Sequence, residues 1–146
     1  MGQVMAALEA FQAGLPDFLL HTGMAFAMLV LGSAVYIKLT PWRELALVKD
    51  KNGSAGLALA GAIIGLAIPI SACLANALNW VGFLIWGTVA LLMQLIAYRV
   101  TDFLLRDLPR RIQEDEAGAA IFLIGTKIAS ALILATGLWD PNLYGR

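Results

Sequence analysis

The chain is poor in the side chains from which most active sites are built. Its 146 residues include one cysteine, Cys73, and one histidine, His21. A disulfide framework and a cysteine metal site are thereby excluded, and Cys73 reads as a small packing residue. Charge is scarce too, with ten Lys and Arg balancing ten Asp and Glu. A net charge of zero gives no electrostatic reason to expect nucleic acid. The first basic residue is Lys38. The positively charged start of a signal peptide is therefore lacking, and the first apolar run is expected to stay in the mature protein.

What is abundant is apolar surface. Hydrophobic residues make up 60% of the sequence, above the roughly 45–50% of soluble domains. They gather into four runs, Phe18 to Ile37, Ala55 to Leu78, Val81 to Leu105 and Ala117 to Leu138. Each is close to the roughly 20 residues that cross a bilayer core. One such run could be a buried soluble helix, but four in so short a chain could not. The expected fold is an all-α membrane protein of four transmembrane helices.

Orientation follows from the basic residues. Lys38, Arg43, Lys49 and Lys51 lie at or between the first two runs, and Arg99, Arg106, Arg110 and Arg111 at or between the last two. The link around Asn76 and Asn79 has none, and the ends carry only Arg146. The positive-inside rule puts both charged loops in the cytoplasm and both termini outside. Trp80 and Trp139 then fall at the outer interface and Trp42 at the inner one. Residues 1–17 are expected to form a separate extracytoplasmic segment, either a short interfacial helix or a frayed tail.

A shift of 64 residues lays SAGLALAGAIIGLAI over GAAIFLIGTKIASAL. Ser54, Gly61, Gly65 and Ala72 fall on Gly118, Gly125, Ala129 and Thr136, forming one narrow helical stripe in each copy. Small residues let helix backbones approach closely, so helices two and four are expected to pack through these faces. Each repeat holds two spans, 18–79 and 80–146, giving two helical hairpins of parallel orientation within one membrane domain. Pro69, opposite Ile133, breaks the symmetry. It frees the Gly65 carbonyl and predicts a kink, with Ser71 as a nearby donor.

The segments LTPWRELALVKDKN, SAGLALAGAIIGLAIPIS and WGTVALLMQL, with the second small-residue helix from Ala117, resemble the YjfL-type inner membrane proteins. The resemblance covers nearly all of the chain after its first fifteen residues. It implies two copies of a two-helix unit, residence in a bacterial inner membrane and an unknown biochemical role. Relatives encoded beside envelope-stress proteins and an ATP-grasp ligase imply a part in envelope maintenance. Lys127 departs from the pattern, which favours a small or apolar residue there.

Lys127 lies ten residues from Ala117 and eleven from Leu138, close to the bilayer middle. Inserting a central lysine costs roughly 2.5–3.5 kcal/mol. The strongly apolar residues of this helix return about 0.3–0.6 kcal/mol each, so insertion is close to balanced. Gln94 and Ser130 are the polar candidates for its company, and no acidic residue is expected at that depth. The lysine face lies opposite the small stripe and is expected to meet helix three or another subunit. His21 reads as an interfacial side chain. Hydrolytic, metal and nucleophilic constellations cannot be assembled within the spans, and no cofactor is implied.

Two functional classes remain. The first is a non-enzymatic membrane module that forms homo-oligomers or docks a cytoplasmic partner at loops 38–54 and 106–116. The second is a small channel or transporter subunit with Lys127 and Gln94 lining its path.

Overall fold

A computed structural model describes residues 2–40, 43–75 and 80–138. Trp42, Trp139, Asn76, Asn79 and Arg146 lie outside the described residues. The described residues form six helices: α1 (Gly2–Leu39), α2 (Glu44–Lys49), α3 (Gly53–Ala75), α4 (Trp80–Leu105), α5 (Leu108–Gln113) and α6 (Ala117–Leu138). Of these, α1, α3, α4 and α6 are long and apolar enough to cross a membrane. The all-α fold with four spans is as expected.

α3 is the central helix. It packs most extensively on α6, then on α4 and α1, and the short α2 folds back against it. Eleven of its residues are buried, including Ser54, Gly61, Gly65 and Ala72. Gly61 is needed for the α3–α6 approach, because a β-carbon there would lie 3.2 Å from the Ile124 Cα. On the other flank, a side chain on Gly87 would run into Met28, so this glycine seats α1 on α4.

The loop face is built twice in the same way. Lys51 and Asp115, 64 residues apart, both adopt the left-handed conformation (φ 65° and 61°). The backbone bonds Asp50 N–H to Ala46, Lys51 N–H to Val48 and Asn52 N–H to Leu47 recur as Glu114 to Arg110, Asp115 to Ile112 and Glu116 to Arg111. The two turns also clasp each other. Asn52 caps α3 by accepting from the Ala55 N–H (2.7 Å), and its amide donates to the carbonyls of Ile112 (3.0 Å) and Gln113 (3.1 Å). Asp115 accepts from the Ser54 N–H at 2.7 Å.

Two features differ from the sequence expectation. Residues 2–17 are not a separate element but the first part of α1, which continues through Pro16. Ala, Leu, Met, Gln and Glu dominate this stretch and propagate a helix readily. At 38 residues and ~1.5 Å per residue, α1 is about 57 Å long, nearly twice a bilayer core. Pro69 lies within α3, which is helical from Gly53 to Ala75; the differing feature there is the bond made by Ser71. Ser71 donates to the Ala67 carbonyl (2.7 Å) rather than to that of Gly65.

Candidate functional site

Between two apolar layers of the bundle lies a polar cluster drawn from four helices. Toward the loops, Ala55, Ala58, Leu108, Ile112 and Leu123 close the core. Toward the opposite side Leu66, Ile70, Phe83 and Leu138 do so. The cluster consists of Tyr36 from α1, Glu44 from α2, Gln94 from α4 and Lys127 from α6, each with no solvent-accessible surface. Tyr98 and Thr101 continue it along α4.

The Lys127 ammonium donates a hydrogen bond to the Tyr36 hydroxyl. It also lies 3.8 Å from the centroid of that ring, where the negative face of the π-system attracts a cation. The Glu44 carboxylate is buried in the same cluster, and its charge acts on both Tyr36 and Lys127. Tyrosine is suited to this place because its hydroxyl accepts from the ammonium while its ring face attracts the same cation. The expectation that no acidic residue shares the depth of Lys127 is therefore corrected. Glu44 reaches it because α2 turns back against α3 instead of standing in solvent.

Gln94 and Ser130 do meet Lys127, at its backbone rather than its amine. The Gln94 amide donates to the Lys127 carbonyl at 3.2 Å and the Ser130 hydroxyl does so at 2.9 Å. Gly65 makes the space for Gln94, since a β-carbon there would lie 2.5 Å from its Oε1. Lys127 faces the interior, toward α1 and α4, and does not line an opening.

The two small-residue stripes fare differently. On α3 all four members are buried. On α6, Gly118, Gly125, Ala129 and Thr136 are exposed, and a side chain at Gly118 or Gly125 would meet nothing within 4 Å. The expected contact of stripe with stripe is not formed. α6 turns Ala120, Leu123, Ile124 and Lys127 inward, because a buried ammonium needs the polar interior more than two glycines need a neighbour.

Glu44 and Tyr36 were not singled out from the sequence. The one trace in the sequence is that Glu44 falls on the apolar Leu108 at the 64-residue shift; the burial of both positions comes from the tertiary packing.

Four apolar helices around a buried charged cluster define a multi-span α-helical membrane protein. Within that class the chain belongs to the family described as Domain of Unknown Function (DUF350), which matches residues 10–138. It is similar to the UPF0719 inner membrane protein YjfL of Escherichia coli K12, with 29% identity over 109 residues covering 75% of this chain and 83% of that protein. The same figures hold for the protein of that name in Escherichia coli O157:H7. No solved structure matches the chain.

Proposed function

We propose that this chain is a non-enzymatic module of the bacterial inner membrane that self-associates laterally and serves envelope maintenance or stress responses. The observation that carries this reading is the outward-facing stripe of α6. Gly118, Gly125 and Ala129 present a smooth ridge to the surroundings, with open space at both glycines. In hydrocarbon, where burial of apolar surface drives nothing, such ridges favour close helix association. A second copy of the chain is the occupant proposed for it, in the manner that α6 itself sits on the α3 stripe.

The two hairpins are read as parallel repeats, α1 with α3 and α4 with α6, both termini extracytoplasmic and the basic loops in the cytoplasm. The matching turns at Lys51 and Asp115 support the repeat, and the printed name of the relative supports the inner membrane. A channel whose path is lined by Lys127 and Gln94 gains no support from side chains this buried.

The test is self-association in lipid vesicles, read by energy transfer between labelled copies. Gly125→Leu should abolish transfer while leaving the monomer folded, because the site is open. Equal transfer in the variant and the wild type would refute the α6 interface.

A further inference from the structure

α1 and α4 meet where Met28 fills the space left by Gly87. Nearer the loops, Tyr36 and Gln94 both bond to Lys127, so the two helices run in the same direction with matching levels. Beside this contact they part and leave an apolar groove of about 290 Å³. Ala27, Leu31 and Val35 line it from α1, Leu84 and Leu91 from α4, and the buried Leu66 from α3. Leu31 and Leu84 are 66% and 48% exposed, so the groove opens sideways from the bundle. Between Met24 and Val35 it follows α1 for about 16 Å.

The groove has a charged end. Leu31, Val35 and Lys38 are spaced four and three residues apart and share one side of α1. Arg99 follows the groove residue Thr88 by three helical turns and shares its side of α4. From the Met28–Gly87 contact, Lys38 is about 15 Å and Arg99 about 18 Å toward the loops, at ~1.5 Å per residue. Both bases therefore stand just beyond the same end of the groove. Both are exposed, and neither belongs to an ion pair among the described residues. Arg99 lies against the Tyr98 ring, 5.7 Å from its centroid. The neighbouring Asp102 is engaged elsewhere, accepting from the Leu108 N–H of α5 at 3.1 Å.

We propose that the α1–α4 groove binds an anionic phospholipid of the loop-side leaflet, one acyl chain lying along the groove and the phosphate held by Lys38 and Arg99.

The two halves of the site ask for the two halves of one molecule. An apolar cavity of this kind excludes water. Left empty, its lining loses dispersion contacts, and a neighbouring acyl chain restores them. Long basic side chains at the end of a span reach up to the headgroup level. There they select a negative lipid over a zwitterionic one, as basic pockets between membrane helices do. This site needs one copy of the chain and does not depend on the α6 ridge.

Full-length protein in mild detergent, titrated with phosphatidylglycerol or phosphatidylcholine and read by native mass spectrometry, tests this. The first phosphatidylglycerol should bind more tightly than phosphatidylcholine. Lys38→Gln and Arg99→Gln should each weaken it about fivefold, the worth of one basic side chain beside an anionic headgroup. Lys49→Gln, the same change away from the groove, should not. Ala27→Trp fills the groove from an exposed position and should weaken both lipids. Should that variant fail to fold, Leu84→Phe fills it from α4. Glycerol phosphate, a headgroup without chains, should displace nothing. Equal affinity for the two lipids, or phosphatidylglycerol binding unchanged in Lys38→Gln and Arg99→Gln, would overturn the phosphate site. Binding unchanged in the filled variants, or displaced by glycerol phosphate, would overturn the groove as the seat of the chain.

Discussion

Gly65 of α3 lies directly against the Gln94 side chain of α4, and the absent β-carbon is what lets that amide reach the Lys127 carbonyl. A close approach between two helices and the support of a buried lysine thus depend on one missing methyl group. The same economy does not apply on α6, where Gly125 faces open space.

This asymmetry yields a direct comparison. Gly65→Ala should destabilise by about 1–3 kcal/mol, the usual cost of an extra methyl in a packed core. Gly125→Ala should be neutral in the monomer, or slightly stabilising through its better helix propensity. Denaturation in mild detergent measures both. Equal losses would show that the two glycines are equivalent in packing.

Removal of one charge should cost more than removal of both. Lys127→Met leaves Glu44 buried without its counter-charge and should cost about 3–5 kcal/mol. The double variant Lys127→Met, Glu44→Leu restores the residue type found at Leu108 and should be close to wild-type stability, or above it. A double-mutant cycle reads the coupling. Additive effects would mean that the two side chains do not sense each other.

At the loops, acid should loosen the clasp. The backbone N–H of Ser54, then its hydroxyl, holds the Asp115 carboxyl below its usual range, and the Gly53 N–H adds to this. The Arg111 side chain does the same for Glu116. A group whose folded pKa is depressed stabilises the fold above its unfolded pKa, and that contribution is lost as pH falls through the folded value. The difference in Tm between wild type and Asp115→Asn should therefore be present at neutral pH and shrink from about pH 4 downward. A difference that stays constant with pH would rule out the carboxylate as its source.

The clasp itself hinges on Asn52. Asn52→Ala removes the α3 cap and both bonds to the second turn. Loss of the cap alone costs about 1 kcal/mol. Hydrogen exchange should rise at the Ala55 amide and across 112–116 together. A rise confined to Ala55 would show that the turns are not coupled.

Topology can be read chemically. Single cysteines placed at Lys49 and at Glu114, in a Cys73→Ser background, should resist an impermeant thiol reagent in whole cells and react once the membrane is opened. Labelling of either site in intact cells would reverse the proposed orientation.

The four spans, the pairing of α3 with α6 and the oddity of Lys127 were all legible in the sequence. They rest on properties that act along one helix: apolar length against bilayer thickness, small residues in register, and the cost of an isolated charge. The identity of the partner was not legible, because no local rule carries Glu44 out of PWRELALVKD and into a core. In isolation that segment reads as a solvated loop. Only the return of α2 against α3 buries the carboxylate, and only the packing of α1 on α3 and α4 brings Tyr36 onto Lys127. The same holds for the face that α6 turns inward. Its glycines and its lysine lie on opposite sides, and a helix can bury just one of them in its own bundle. Tertiary structure decided for the lysine, since an ammonium in hydrocarbon costs kcal/mol and an uncovered glycine does not.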